Sequence, residues 1–135
     1  MIIGMTGTRK GRTRLQKAYA RDKIPWSIVE ELHSGDCVGA DLSLHKLALA
    51  HAVWSVGHPP VKKHLRAYCD FDEALGIKPY MARNKDIVNA SDKLYGFPPS
   101  EVEGRGGTWS TIKFAKSRGK PVVVITPLGK VTEYN

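Results

Sequence analysis

The sequence predicts a single α/β domain built on a mainly parallel sheet. Three observations carry that prediction. Short apolar runs alternate with helical stretches along the whole chain, as strand–helix units do. Three glycine-rich turns each fall between an expected strand and an expected helix. The chain has 135 residues, enough for one core and too few for two ordinary domains.

The elements follow in order. Residues 2–6 are apolar and break at Gly7, so they read as a first strand rather than a signal peptide, which would need a basic leader. Residues 13–22 form a helix that ends before Pro25. Residues 28–33 are ambiguous: Ile28 and Val29 favour a strand, Glu30 and Glu31 a helix. A short strand is preferred, because the glycine-rich stretch 34–39 follows as a strand-to-helix turn should. Residues 41–51 are helical, with Leu44, Leu47 and Ala48 on one face. Residues 52–56 are the next strand, stopped by Gly57-His58-Pro59-Pro60, and residues 61–79 read as an irregular connection. A connection that long in a small domain is often functional. Residues 80–89 are a helix, 93–97 a strand, 98–105 a loop, and 106–117 a helix closed by Gly119. Residues 121–125 are apolar throughout and predict a central, buried strand, with the tail after Pro127 as a candidate edge strand.

Composition excludes several classes. Apolar residues make up 41% and charged residues 25%, an ordinary globular balance. No apolar run approaches the roughly 18 residues of a membrane span, so no membrane partner and a cytoplasmic location are expected. The two cysteines, Cys37 and Cys69, lack metal-ligand spacing and predict free thiols in a reducing compartment. No metal and no cofactor are expected. The net charge of +8 attracts phosphates but also serves solubility. Its basic residues are spread out, so charge alone does not choose between a nucleotide and a nucleic acid strand.

The three turns carry the candidate chemistry, because in an open parallel sheet such turns gather at the carboxyl ends of the strands. In the first, Gly7, Thr8 and Arg9 offer backbone amides, a hydroxyl and a two-pronged phosphate contact; an ordinary tight turn would look the same. It lacks the Gly-Lys-Ser/Thr ending of a Walker loop. In the second, Gly35 and Gly39 allow close approach, and Asp36 or Asp41 could accept hydrogen bonds from ribose; Asp41 equally suits a helix N-terminus. In the third, Gly106, Gly107 and Thr108 open a helix with unpaired amides, and Thr111 adds a hydroxyl. His58 ends a strand and is expected on the ligand side, or as a plain turn histidine. Arg83 and Asn84 open a helix, where Arg83 is a candidate phosphate partner or a solvated charge.

Taken in order, these stretches resemble the SLOG superfamily, which includes the DNA-processing protein DprA/Smf and the LOG phosphoribohydrolases. Thr6-Gly7-Thr8-Arg9 looks like the Gly-Ser-Arg element of DprA. Residues 34–41 followed by His45 are similar to its Ser-Gly-Gly-Ala-x-Gly-Ile-Asp stretch, and residues 80–88 to its Phe-x-x-Arg-Asn-Arg-Ile-Ile segment. Gly106-Gly107-Thr108 through Ala115, then Gly119-Lys120-Pro121-Val122, is similar to its Ser-Gly-Ser-x-x-Thr-Ala and Gly-Arg-x-Val. The compact length and Gly57-His58-Pro59-Pro60 look closest to small stand-alone members from bacteria and phages.

The resemblance implies a Rossmann-like three-layer fold, a nucleotide-type ligand such as an ADP-ribose-like compound, and self-association into a homo-oligomer. The preferred expectation is a sensor or binding protein. Two alternatives stand beside it: a nucleotide N-glycosidase of the LOG type, and a single-stranded nucleic-acid binder like DprA with Trp109 or Tyr80 stacking on bases. The LOG motif carries a catalytic glutamate where this chain has Thr111, so hydrolysis would need Asp36, Asp41 or Glu103 as a substitute.

Overall fold

Ile2–Gly7 forms β1, and it lies at the middle of a seven-stranded sheet in the computed structural model, which describes all residues, 1–135. The remaining elements are α1 (Arg14–Asp22), β2 (Glu31–Ser34), α2 (Ala40–Ala50), β3 (Trp54–Gly57), β4 (Glu73–Ala74), α3 (Tyr80–Ala90), β5 (Lys93–Phe97), α4 (Gly107–Ser117), β6 (Val122–Ile125) and β7 (Val131–Tyr134). The strand order is β4-β3-β2-β1-β5-β6-β7. Every pairing is parallel except β6 with β7. The chain therefore builds outward from β1 to β4, then crosses back to lay β5 on the other side of β1. That reversal opens a crevice beyond the carboxyl ends of β1 and β5, where ligands bind in open α/β sheets.

Strand alternation sorts the side chains into two cores. Ile3 and Met5 of β1, Leu32, Tyr95, Phe97, Val123 and Ile125 pack with Ala20, Ala40, Leu44 and Ala48 from α1 and α2. Leu94, Val122 and Val124 pack with Ile87, Val88, Trp109, Ile112 and Ala115 from α3 and α4. One helix layer thus covers each face, giving the three-layer α/β architecture. On the α3–α4 face, β1 and β5 present Gly4 and Gly96, and the space a Cβ would take is filled by Ser91 and Ile112. Those two helices sit close to the sheet for that reason.

Local chemistry fixes several boundaries. Thr13 caps α1 through a reciprocal box: its hydroxyl accepts from the Gln16 amide, and the Gln16 side chain accepts from the Thr13 amide. The expected strand at 28–33 begins instead at Glu31. Residues Trp26–Ile28 form a 3₁₀ turn, because the Trp26 indole is buried and donates to the Ala20 carbonyl at 2.8 Å. β3 starts at Trp54 rather than residue 52. Ala52 has φ +56° and Val53 donates back to the Ala48 carbonyl, so both close α2. β6 is buried as expected but is not central: it lies one strand in from the edge, and β7 covers its outer side.

The connection 61–79 has more order than the sequence suggests. It contains a 3₁₀ turn at Lys63–Leu65 and the short strand β4. Asp36 organises it from beneath, and Asp72 anchors it to Ser55 at 2.7 Å. Cys37 and Cys69 are both free thiols. No helix is long and apolar enough to cross a membrane.

Candidate functional site

A cavity of ≈ 540 Å³ occupies the crevice at the β1/β5 reversal. That volume lies inside the range of about 300–1,000 Å³ typical of small-molecule sites. All three glycine-rich turns reach it: Gly7, Thr8 and Arg9 after β1, Gly35 and Asp41 after β2, and Gly106, Gly107 and Thr108 at the start of α4. Arg83 and Asn84 reach it from α3. The turns also touch one another. Ala40 donates to the Thr8 carbonyl at 3.1 Å, and Gly39, at φ +89°, lies so close to the Arg9 backbone that a Cβ there would collide with it. Gly39 therefore shapes the site without lining it.

The backbone amides are not equally free. Those of Thr8, Lys10, Gly11, Cys37, Val38 and Ala40 are already hydrogen-bonded within the protein. The first two turns thus spend most of their donors on holding themselves together. The start of α4 differs. Its N-cap is Gly106, which has no side chain to cap with, and the first bond back to that cap comes from Ser110. The amides of Gly107, Thr108 and Trp109 have no protein partner. An uncapped helix start of this kind, facing a cavity, suits an anion through both its donors and the helix dipole.

The charge around the cavity is one-sided. Arg9, Lys10, Arg83 and Arg105 line it, and Asp41 is the only carboxylate among the lining residues. Arg9, Lys10 and Arg105 form no salt bridge. Arg83 is held differently. Its guanidinium is buried and donates to the carbonyls of Gly35 and His58 and to the Cys37 sulfur at 3.4 Å, while its Nε has no partner. A Cβ at Gly35 would overlap this guanidinium, so glycine is needed there for the close approach. Asp41 is buried beside it and accepts from the Cys37 amide at 3.1 Å. Burial pushes the Asp41 carboxyl up to about 6, against the opposing pull of Arg83 and the Cys37 amide. Burial also pushes the Cys37 thiol up, so it stays protonated.

Four expected residues lie elsewhere. Asp36 is fully buried and its carboxylate is engaged by Arg66 at 3.0 Å and the Cys69 amide at 2.8 Å. Its φ of +55°, a conformation aspartate tolerates, accompanies a side chain bonded into the 61–79 connection instead of the cavity. His58 is buried against His33, ring nitrogens 2.7 Å apart, and His33 in turn meets Glu31 at 2.6 Å. Burial, reinforced by neighbouring His33, pushes His58 down to about 4. Thr111 is buried and donates to the Gly107 carbonyl at 2.7 Å, inside its own helix. Glu103 lines a separate, smaller cavity of ≈ 190 Å³ beside β6 and β7. Among the three candidate catalytic carboxylates, only Asp41 faces the main cavity.

Thr6 of the Thr6-Gly7-Thr8-Arg9 motif lines the cavity, as do Val38 and Ile87 from the other motif stretches. Met5, Leu65 and Pro99 lie outside those motifs and reach the cavity only through the topology. Tyr80, expected to contact a ligand only in the nucleic-acid alternative, lines the cavity. Its hydroxyl occupies the place a side chain at Gly107 would need, and its ring lies 5.1 Å from the Arg83 guanidinium carbon. Trp109 is less available for stacking than expected: it is buried in the α3–α4 core and its indole donates to Ser100 at 2.9 Å.

The fold and this crevice define a Rossmann-like α/β protein, the fold class to which the motif resemblance pointed. The solved structures it is similar to agree. It superimposes on the molybdenum cofactor binding protein from the phototrophic bacterium Rippkaea orientalis with a TM-score of 0.72 and 25% identity, covering 93% of this chain and 76% of that one. The molybdenum cofactor carrier protein from Chlamydomonas reinhardtii gives a TM-score of 0.69 at 22% identity, covering 93% and 77%. DprA from Streptococcus pneumoniae gives 0.67 at 19%, covering 90% of this chain but 49% of that protein. The chain thus spans about half of that DprA. No protein-family model matches the chain, and no curated protein matches it by sequence.

Proposed function

We propose that this protein binds a nucleotide-type metabolite, a heterocycle carrying phosphate, in the crevice between β1 and β5, acting as a sensor or carrier rather than through the LOG hydrolytic motif. The observation that carries this reading is the pairing of free amides at Gly107–Trp109 with a cavity whose charged lining is four cations and one carboxylate. Phosphate would sit at the α4 start, neutralised by Arg9 and Arg105. Asp41 is placed to accept a hydrogen bond from a sugar or base. An ADP-ribose-like compound meets these requirements.

A second reading shares the same chemistry. The 25% identity to a molybdenum cofactor binding protein over 93% of this chain favours a phosphorylated pterin cofactor as the ligand. Thermal melting in the presence of AMP, ADP, ADP-ribose and isolated molybdenum cofactor separates the two. A real ligand raises the melting temperature in proportion to the logarithm of its concentration. Stabilisation by a nucleotide supports the first reading, and stabilisation by the cofactor alone supports the second. A melting temperature unmoved by all four compounds rules out both. Tighter binding to oligothymidylate than to any of them, with affinity falling steeply in salt, would instead favour a DprA-like role.

A further inference from the structure

A second compartment of ≈ 400 Å³ adjoins the main cavity, and Arg9, Leu65 and Tyr80 line both. Its own walls are Pro60, Val61, Lys62 and Pro79. We propose that the ligand is two-headed: a dinucleotide whose pyrophosphate linker crosses at Arg9 and whose second nucleoside lies in this compartment. The proposal rests on the nucleotide reading above and narrows it.

Each compartment is separately as large as a small-molecule site needs, so one mononucleotide would leave half of the groove unused. The second is lined by apolar surface and by two cations, with no carboxylate. Neither Arg9 nor Lys62 has an ion-pair partner. Arg9 is exposed at the junction, where charge on a linker would pass between the two halves. The Tyr80 ring also stands there and offers a stacking surface for a base.

The wall is built rather than incidental. Val38 donates to the Leu65 carbonyl at 2.9 Å, Cys37 bridges to Arg66, and Pro60 bridges to Lys78. Asp36 holds the same segment through Arg66, through the Cys69 amide and through its own carbonyl to the Ala67 amide. A buried carboxylate is thus committed to fixing the shape of a surface loop whose inner side faces the groove. That commitment is what a binding wall requires and what a mere linker does not.

The test is calorimetric titration with P1,P2-diadenosine diphosphate and with ADP. The expected result is binding of the dinucleotide about tenfold tighter than ADP, or more, because the second head binds at high effective concentration. Val61→Trp, which fills the compartment, and Lys62→Glu, which reverses its charge, should each collapse the ratio of the two affinities toward one. Val61 and Lys62 are exposed, and unchanged circular dichroism would establish that both variants fold. Equal affinities in the unaltered protein, or a ratio that survives both substitutions, overturns the two-headed ligand while leaving the nucleotide site intact. Absence of binding by both compounds overturns this inference together with the nucleotide reading. Tighter binding of a phosphodiester-linked oligonucleotide than of the pyrophosphate dinucleotide also overturns it.

Discussion

The Arg66 guanidinium donates to the buried Asp36 carboxylate at 3.0 Å, and this pair joins the turn after β2 to the long connection beyond β3. Asp36 is fully buried and Arg66 largely so, and the Arg66 guanidinium carbon also lies 4.4 Å from the Tyr68 ring centre. One carboxylate therefore satisfies a cation and an amide in a segment with little apolar core of its own.

Asp36→Ala should destabilise the protein by about 3–5 kcal/mol, since it leaves the Arg66 charge and the Cys69 amide without their acceptor. Asp36→Asn should cost less, because an amide oxygen still accepts from Cys69. Urea unfolding of the two variants measures the difference. Equal stability of Asp36→Ala and the unaltered protein would show that the pair does not hold the connection.

Asp41 and His58 titrate in overlapping windows with opposite signs. The folded Asp41 carboxyl sits at about 6 against an ordinary 3.8. Its protonated form favours the fold, fully below about pH 4, and that contribution is lost as pH rises through 6. His58 sits at about 4 against 6.5. Its contribution is full above pH 6.5 and is lost as pH falls toward 4, because the unfolded chain takes up a proton first. Each effect should amount to about 1–3 kcal/mol. Asp41→Asn should remove the first and leave stability falling more steeply in acid, whereas His58→Gln should remove the second. Urea titrations from pH 4 to 8, taken as differences from the unaltered protein, read both signs.

Protonation of Asp41 also changes the charge that a bound anion meets. Affinity for a phosphate-bearing ligand should therefore rise as pH drops from 7 to 5, and Asp41→Asn should flatten that rise. Calorimetry with ADP across this range provides the measurement. A parallel rise in both proteins would assign the effect to another group.

Gly107→Ala should destabilise by about 1–3 kcal/mol, because the new methyl group meets the Tyr80 hydroxyl. Combining it with Tyr80→Ala removes the ring together with that oxygen and should recover part of the loss. A double-mutant cycle on melting temperatures isolates the interaction. Additive effects would mean that the two residues do not meet.

Arg9→Ala should leave stability within about 0.5 kcal/mol, since the side chain is exposed and makes no ion pair. Nucleotide affinity should fall about tenfold, with a shallower dependence on salt. Full retention of affinity would remove Arg9 from the site.

The strand–helix rhythm is legible in the residues alone, because apolar periodicity and glycine punctuation act over a few residues and need no partner. β5 matched its expected bounds, and α4 began within a residue of them. The same local logic brought Gly7, Thr8, Arg9, Gly106, Gly107 and Thr108 to one sheet edge, since turns after parallel strands share that edge. The remaining features depend on long-range packing. Whether Asp36 or Asp41 faces the cavity depends on which way one turn residue at positive φ directs its side chain. Whether His58 meets a ligand or His33 depends on the register of β2 against β3, which pairs His33 with Val56. Which amides remain free depends on how the turns bond to one another. These outcomes follow from contacts between residues tens of positions apart, such as Arg83 with Gly35 and Tyr80 with Gly107, which no local pattern encodes.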